Sequence, residues 1–255
     1  MRSRRSAIPK TSSTPDFGRV AADYDRLRPQ DDHWWELFEL LAREGDLSGR
    51  RVLDVGCGTG RWSAAFQDRG SRVWGVDRSP EMVELARRRG VNAKQARAEA
   101  LPFKEDWFER ALLVLVVHVV DRPSAFAELG RVLGPDGRIA IATFDHAQFD
   151  DYYLSPYFPS LAEIDRGRFP TRETLTNDLE AAGFAPRVVP LTQRTTRDRD
   201  WVLERIRGRF ISTLLLLDEA ELAEGLARAE RELPGQVEAE QHLLVVIGDS
   251  VRQPL

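Results

Sequence analysis

One segment, Val52-Leu-Asp-Val-Gly-Cys-Gly-Thr-Gly-Arg61, constrains the fold of this chain more than any other feature of its sequence. An apolar run leads into three glycines at alternate positions, and a stretch compatible with a helix follows. Glycine permits positive φ angles and lets the backbone approach a ligand closely. A helix that starts there presents unbonded N–H groups to the same ligand. The segment therefore predicts a strand, a ligand-binding turn at Gly56, Gly58 and Gly60, and a helix.

The surrounding sequence, from Arg51 to Phe144, alternates short apolar runs with helical stretches. Strands are predicted at residues 51–55, 72–76, 91–96, 111–117 and 138–144. Helices are predicted at 61–68, at 124–133, and between a capping Ser79 and a stop near Gly90. Strand, helix and strand at this spacing define βαβ units. We therefore predict an α/β fold with a doubly wound, mostly parallel sheet.

The pattern changes after Phe144. Residues 145–170 are rich in aromatic residues and turn formers, which indicates an insertion. Further elements are predicted at 172–182 (helix), 187–194 (strand), 201–217 and 219–232 (helices) and 243–247 (strand). We expect one domain over residues 16–255, with a core at about 48–145 and a cap formed by about 146–170 and 197–235. Residues 1–15, rich in Arg, Ser and Pro, are expected to be a disordered basic tail.

Composition narrows the classes of function. A net charge of −4 gives no general attraction to nucleic acid or to anionic lipid. The single cysteine, Cys57, excludes an internal disulfide, and the longest apolar runs are too short to span a bilayer. The four histidines and the cysteine lack the spacing of metal ligands, so no metal is predicted. We expect a cytoplasmic protein without nucleic-acid or membrane partners.

Two carboxylates indicate which ligand the glycine turn binds. Asp54 lies just before the turn, and Asp77 ends the second predicted strand, at the sheet edge where ligands bind. A buried carboxylate repels a diphosphate and favours an ammonium group. A dinucleotide fingerprint also needs a third glycine where Arg61 stands, and an acid such as Asp77 can bind both ribose hydroxyls. The ligand favoured is a ribose that carries an ammonium group.

Several segments together resemble one enzyme family: VLDVGCGTGRWS, VWGVDRSPEMVELARRRG, AEALPF, AELGRVLGPDGRIAIATF and, upstream, VAADYDRLRP. They are similar to the class I S-adenosylmethionine-dependent methyltransferases, in their small-molecule type 11 branch. The resemblance covers about residues 17–145. It implies a Rossmann-like, seven-stranded sheet that is mostly parallel with an antiparallel last strand. It also implies S-adenosyl-L-methionine as the cofactor and S-adenosyl-L-homocysteine as its product.

The resemblance further implies which residues contact the cofactor. Asp54 would steer the amino group, Asp77 would bind the ribose hydroxyls, and the glycines would line the methionine and ribose. Arg78 and Met82 would pack near the adenine. Cys57 is interpreted as a small packed residue of the turn and not as a nucleophile. The full predicted set is Tyr24, Arg28, Asp54, Gly56, Cys57, Gly58, Gly60, Asp77, Arg78, Met82, Ala98, Glu99 and Val114.

The chain departs from the family pattern at a few positions. Arg97 stands where many relatives carry an acid that contacts the adenine amine, which leaves adenine recognition partly to Glu99 and to backbone groups. Glu109 and Arg110 replace an Asp-hydrophobic pair before the fourth predicted strand. These departures leave the glycine turn and Asp77 untouched.

The methyl acceptor is expected at the mouth of the same site. His118, at the end of the fourth predicted strand, and His146, after the fifth, are candidate general bases, although a structural role is the alternative. The aromatic residues Tyr152, Tyr153 and Tyr157 could form a lid over an apolar or ring-bearing acceptor, or a packed loop.

Three functions compete at this stage. The first is transfer of a methyl group to oxygen, nitrogen or carbon of a small molecule. The second, an RNA or protein methyltransferase, would need a basic face near the pocket, and only the mixed stretch 187–209 offers one. The third is a protein that binds the cofactor without turnover, which the departures at Arg97 and Glu109 make more plausible.

Overall fold

A seven-stranded sheet lies at the centre of the computed structural model. The structure describes residues 23–252, and the tail expected at 1–15 lies outside this range. The strands are β1 Arg51–Val55, β2 Arg72–Asp77, β3 Asn92–Gln95, β4 Phe108–Val114, β5 Leu133–Phe144, β6 Phe184–Asp198 and β7 Gln236–Ser250. They lie in the order β3-β2-β1-β4-β5-β7-β6. The five strands β1 to β5 pair in parallel, and β7 runs antiparallel to both β5 and β6. The predicted sheet, including its antiparallel last strand, is confirmed.

Helices connect these strands. Over residues 23–252 they are α1 Asp32–Gly45, α2 Arg61–Asp68, α3 Pro80–Arg88, α4 Arg122–Val132, α5 Leu161–Arg168, α6 Arg172–Ala181, α7 Arg199–Arg207 and α8 Glu219–Glu232. Ser79 caps α3 as predicted, because its hydroxyl accepts a hydrogen bond from the N–H of Met82 at 3.2 Å. Pro80 follows in the first turn, where its missing N–H costs nothing.

Both faces of the sheet are covered. On one face α4 and α6 bury Phe126, Leu129 and Leu179 against the strands. On the other face α1 and α2 contribute Phe38 and Phe66, whose rings stack at 4.4 Å between centroids. Strands that are buried on both faces read as continuous apolar runs, which explains why they could be recognised in the sequence. The carboxyl ends of the parallel strands are left as the edge for ligand binding.

The fourth strand differs from its prediction: β4 begins and ends three residues earlier than expected. It begins earlier because polar side chains hold its first residues. Glu109 accepts a hydrogen bond from the first backbone N–H of β1 at 2.9 Å, and Nε of Arg110 donates to the carbonyl of Asp46 at 3.1 Å. It ends earlier because Leu115 has a φ of +52°, which breaks the extended conformation.

Four other elements differ from their predicted bounds. Strand β5 begins at Leu133, before the predicted start at 138. The helix expected at 201–217 ends at Arg207 in α7, since Gly208 and Arg209 (φ +51°) stop it, and a short 3-10 turn follows at Ser212–Leu215. The strands expected at 187–194 and 243–247 are much longer. They form the β6–β7 pair, which continues from Phe184 opposite Ser250 to Asp198 opposite Gln236.

The segments predicted as a cap share a hydrophobic cluster of their own. Leu154, Phe158, Ile206 and Ala229 belong to it, and so does Leu27 from the N-terminal segment. The packing is close at Gly225 of α8, where an added Cβ would lie 2.3 Å from the Phe158 ring. The cap therefore packs as a unit against residues that precede the sheet. We propose that it forms a part of the domain that is distinct from the core at about 48–145.

Residues 23–252 show neither a membrane-spanning helix nor a metal-binding cluster. None of the helices there has the length and apolar character needed to cross a bilayer. In the same range, no three His, Cys, Asp or Glu side chains are grouped so as to hold a metal ion.

Candidate active site

A cleft opens at the carboxyl ends of β1, β2 and β4 and contains about 790 Å³ of space free of protein atoms, its open mouth included. The residues that line it are Tyr24, Val55, Gly56, Gly58, Val76, Asp77, Arg78, Met82, Ala96, Arg97, Ala98, Glu99, Val114, Leu115, Val116, Val119 and Val120. Four members of the predicted cofactor-binding set, Arg28, Asp54, Cys57 and Gly60, do not line the cleft; the others do. The structure thus brings together residues from five separate stretches of the sequence.

The glycine turn forms the floor of the cleft. Gly56 has a φ of +72°, and a Cβ there would lie 2.4 Å from Cγ2 of Val116, so the turn can pass under the β4 loop only without a side chain. Gly58 has a φ of +54°, and a Cβ there would meet no atom within 4 Å. The backbone at Gly58 therefore faces open space in the cleft.

The other residues of the turn are structural. Gly60 begins α2 as its N-cap residue and packs against Ala86 of α3. Cys57 points away from the cleft: its Sγ would lie 2.7 Å from a Cβ on Gly75 of β2. Burial raises the pKa of the Cys57 thiol, which keeps it protonated and unreactive, in agreement with its interpretation as a packed residue.

Asp77 is fixed at the end of β2 by two backbone groups. Its Oδ2 accepts a hydrogen bond from the N–H of Gly58 and its Oδ1 from the N–H of Ser79, both at 2.9 Å. Burial raises the pKa of Asp77 above its usual value, while these bonds act in the opposite direction. The carboxylate is therefore held in one orientation beside the turn, with lone pairs remaining for a ligand in the cleft.

Asp54 lies beneath the turn rather than in the wall of the cleft. It is 2% exposed, and its Oδ2 accepts a hydrogen bond from the Ser63 hydroxyl at 2.6 Å. Burial raises its pKa to about 7, and the negative charge of Asp77 acts in the same direction. Two carboxylates whose charged forms are disfavoured would be stabilised by a cationic group bound above them.

The raised pKa of Asp54 predicts a pH-dependent stability that Asp54→Asn removes. Between the pKa of the unfolded chain, near 3.8, and about 7, the folded protein holds a proton that the unfolded chain releases, so this contribution to stability decreases as pH rises. We expect the free energy of unfolding of Asp54→Asn, relative to the parent protein, to increase by a few kcal/mol over this interval and then level off. Urea denaturation at a series of pH values measures the free energy of unfolding of both proteins. If the difference between the two free energies did not change over this pH interval, the prediction would be contradicted.

The N-terminal segment, defined here as residues 23–29, reaches over the cleft. Tyr24 lines the cleft, and the guanidinium of Arg28 stacks on the Tyr24 ring at 3.8 Å. Sequence reasoning missed what holds this segment. Asp25 accepts a hydrogen bond from the Thr59 hydroxyl at 2.7 Å and forms an ion pair with Arg89 at the end of α3. The segment is thereby tied to the glycine turn itself.

The opposite end of the cleft contains the residues predicted near the adenine. Arg78, Met82, Ala98 and Glu99 line it together. Glu99 accepts a hydrogen bond from the N–H of Asp121 at 2.9 Å. Arg97, the first departure from the family pattern, also lines the cleft and forms an ion pair with Glu99 at 3.3 Å. The loop after β3 is thus fastened to the start of α4.

The two histidines do not line the cleft. His118 lies in the turn after β4, not at the end of the strand as predicted, because β4 ends at Val114. Its ring stacks on Phe169 at 4.0 Å between centroids, and burial lowers its pKa to about 3. His146 donates a hydrogen bond from Nε2 to the carbonyl of Phe169 at 2.9 Å. Both histidines therefore pack around one phenylalanine behind the cleft wall.

The three tyrosines separate into two places. Tyr152 and Tyr153 are half-buried next to each other, with ring centroids 5.1 Å apart, and burial raises the pKa of both phenols. Tyr157 lies instead beside a shallow depression on α8, with Pro159 and Glu224. None of the three lines the cofactor cleft.

Comparison with known proteins agrees with this geometry. A family model described as "Methyltransferase domain" matches residues 53–141. The demethylmenaquinone methyltransferase of Tropheryma whipplei is 32% identical over 180 residues, which cover 64% of this chain and 74% of that protein. The malonyl-[acyl-carrier protein] O-methyltransferase of Serratia marcescens is 32% identical over 146 residues, 56% of each chain. The crystal structure of the YcgJ protein of Bacillus subtilis superposes with a TM-score of 0.62 at 20% identity and covers 86% of this chain and 100% of its own.

The fold, the cleft and these relatives define one class of enzyme. The chain belongs to the class I S-adenosylmethionine-dependent methyltransferases. It is a methyltransferase of the α/β, Rossmann-like fold, and the predicted family and enzyme class are confirmed.

Proposed function

We propose that this enzyme methylates a small-molecule acceptor that is apolar or ring-bearing, with S-adenosylmethionine bound in the cleft at the ends of β1, β2 and β4. One observation carries the proposal. Gly58, which has open space beside its backbone, and the oriented carboxylate of Asp77 line the same cleft. The relatives support the acceptor class: one is named for a demethylated quinone and one for a malonyl group on a carrier protein.

The residues of the cleft fit the cofactor. The space above Gly58 accepts a ligand that lies directly on the backbone, and Asp77 can accept hydrogen bonds from two ribose hydroxyls. The raised pKa values of Asp54 and Asp77 fit a ligand that carries positive charge, as an ammonium or a sulfonium does. Met82 and Ala98 offer an apolar surface for the flat adenine ring.

The cofactor, when bound, supplies a methyl group on a positively charged sulfur. The protein then has to place the attacking atom of the acceptor in line with that methyl group and exclude water. The N-terminal segment covers one side of the cleft through Tyr24, and the loop Leu115–Val120 forms another wall. We propose that the cap, residues 146–170 and 197–235, covers the acceptor, and that Tyr152 and Tyr153 belong to its pocket.

Placement rather than proton removal is the proposed contribution of the histidines. Burial lowers the pKa of His118 to about 3, so that its imidazole is neutral at physiological pH and too weak a base to remove a proton from a hydroxyl. Its stacking on Phe169 fits a role in shaping the acceptor side of the wall. His146 makes the same wall rigid through its bond to the Phe169 carbonyl.

Binding and turnover experiments test the function separately. Titration calorimetry should show binding of S-adenosylmethionine and S-adenosylhomocysteine and none of a pyridine dinucleotide. Incubation with methyl-labelled S-adenosylmethionine and a panel of quinols, phenols and carboxylic acids, followed by mass spectrometry, should identify a labelled product. His118→Phe should retain turnover of that acceptor. Uptake of the dinucleotide instead of the adenosyl compounds would refute the proposal.

The contacts of Asp25 predict that Asp25→Ala weakens cofactor binding. The substitution removes the hydrogen bond from Thr59 and the ion pair with Arg89, which together hold the N-terminal segment over the cleft. We expect the dissociation constant for S-adenosylhomocysteine to rise about tenfold, mainly through faster release. Stopped-flow fluorescence and calorimetry measure both quantities. Asp23→Ala, at an exposed acid that pairs with Arg26, is the matched control and should bind normally; equal affinities of the two variants would contradict the prediction.

A further inference from the structure

Arg205 on α7 is a cation of the cap with two buried donor nitrogens that no acceptor within residues 23–252 satisfies. Its guanidinium carbon lies 4.2 Å from the Trp201 ring centroid and 4.4 Å from that of Phe210. Its Nε and Nη1 are buried, and among residues 23–252 neither has a hydrogen-bond partner. Buried donors without partners are rare in folded proteins, and each one calls for an explanation.

Stacking on the aromatic rings does not provide that explanation. Cation–π contacts engage the flat face of the guanidinium, whereas its N–H bonds lie in the plane and point outward from the edge. Leaving buried N–H groups without acceptors costs free energy that an apolar side chain between Trp201 and Phe210 would avoid. Arg205 therefore has a feature that packing of the cap does not require, namely two N–H donors that are shielded from solvent and lack an acceptor.

The surroundings of Arg205 carry an excess of positive charge. Arg197 lies against the same Trp201 ring at 4.9 Å, and its charge is balanced by an ion pair with Asp31. The positive charge of Arg28 and the negative charge of Asp31 both act on Arg205, so that Arg28, Arg197 and Asp31 together leave one positive charge around it. Burial lowers the pKa of Arg205 to about 10, so the side chain stays protonated at neutral pH. An anion placed among these groups would be attracted by charge and would find free donors.

This position is connected to the cofactor cleft. Arg28 stacks on Tyr24, which lines the cleft, and Tyr24 and Arg28 belong to the same N-terminal segment. On the other side, Arg205 is close enough to Tyr152 and Tyr153 for its charge to act on their phenols. Arg205 thus lies within electrostatic reach of the two cap tyrosines and of Arg28 in the N-terminal segment.

We propose that Arg205 binds an oxyanion of the methyl acceptor, a carboxylate or a phosphate, and that this contact places the acceptor against the cofactor cleft. Arg28 closes the site from the N-terminal segment, and the rings of Trp201 and Phe210 hold the guanidinium in a fixed orientation. A fixed guanidinium recognises such planar or tetrahedral anions with little loss of side-chain freedom. The inference rests on the proposed function and names the polar end of its substrate.

The test is a titration of the full chain saturated with S-adenosylhomocysteine. Four probes distinguish the sources of the anion: inorganic phosphate, phenyl phosphate, benzoate and the neutral benzyl alcohol. We expect at least one of the aromatic oxyanions to bind about tenfold or more tightly than benzyl alcohol. Arg205→Gln should lose that preference and still bind S-adenosylhomocysteine. Arg207→Gln, at an exposed residue of the same helix that pairs with Glu230, is the matched control and should keep it.

Every outcome bears on the proposal. Equal binding of the oxyanions and benzyl alcohol to the parent protein overturns it, as does an Arg205→Gln variant that binds the oxyanions normally, or an equal loss in Arg207→Gln. Should Arg205→Gln fail to fold, the preference measured on the parent protein decides by itself, and Arg205→Lys, which keeps the charge, should retain part of it. Absence of S-adenosylhomocysteine binding to the parent protein would refute the proposed function alone, since the oxyanion titration can be repeated without it.

Discussion

Gly58→Leu is expected to abolish cofactor binding while the protein remains folded. Gly58 lines the cleft and a Cβ there would meet no protein atom within 4 Å, so we expect a leucine side chain to extend into the space that the ligand occupies. The φ of +54° makes any L-residue there strained by about 1–2 kcal/mol, which a folded domain tolerates. We expect the affinity for S-adenosylhomocysteine to fall at least about 100-fold, measured by calorimetry.

Gly90→Leu is the matched control for this prediction. Gly90 has a φ of +86°, and a Cβ there also meets no atom within 4 Å, but the residue follows α3 and does not line the cleft. Both variants should therefore lose similar stability in thermal unfolding, and only Gly58→Leu should lose affinity. Normal binding by Gly58→Leu, or an equal loss in both variants, would show that the cofactor lies elsewhere.

The parts of the fold that the sequence predicted well are those specified by local chemistry. The strand before the glycine turn, the helix after it and the cap at Ser79 each depend on residues within a few positions of one another. The buried strands of a parallel sheet are apolar on both faces, so they stand out in the sequence as well. These features were sufficient to predict the order of the elements and the edge of the sheet where the cleft lies.

Two of the bounds that were wrong, the start of β4 and the length of the β6–β7 pair, depend on contacts between distant residues. Glu109 belongs to β4 because it accepts a hydrogen bond from a neighbouring strand, and no pattern around Glu109 reveals that partner. In the outer half of the β6–β7 pair, residues Thr192 to Asp198 of β6 are polar or charged and show no apolar alternation. It is extended because each strand supplies the backbone partners of the other. Register of this kind is not encoded by the periodicity of either strand alone.

The same limit applies to the site. Asp77 could be predicted because it ends a strand next to a glycine turn. The bond between Asp25 and Thr59 spans 34 positions, and the grouping of Arg205 with Arg28 and the cap tyrosines spans many more. In the sequence, Arg205 is one of several arginines in the mixed stretch 187–209, and nothing there distinguishes it from the others. Only the packing of the cap shows that its donors are buried.

Asp77→Ala tests the other half of the cofactor site. We expect the affinity for S-adenosylhomocysteine to fall about 100-fold or more, because hydrogen bonds from two ribose hydroxyls to a carboxylate each contribute roughly 1.5–3 kcal/mol. The substitution also frees the N–H of Gly58, which Asp77 binds at 2.9 Å, so the turn loses part of its support. Asp77→Asn, which keeps an acceptor for that N–H, should show a smaller loss. Calorimetry on each variant gives the affinities.

Glu81→Ala removes the same charge from the first turn of α3 at a residue that does not line the cleft, so it serves as the control. It should bind S-adenosylhomocysteine normally. Thermal unfolding distinguishes the loss of ligand contacts from the loss of folding. Removal of a carboxylate whose burial raises its pKa relieves an unfavourable desolvation, which offsets part of the cost of the two backbone hydrogen bonds lost, so Asp77→Ala should unfold only slightly below the temperature of the parent protein. If Asp77→Ala binds as tightly as Glu81→Ala, the ribose is not held by Asp77, and the orientation proposed for the cofactor along the glycine turn has to be reversed.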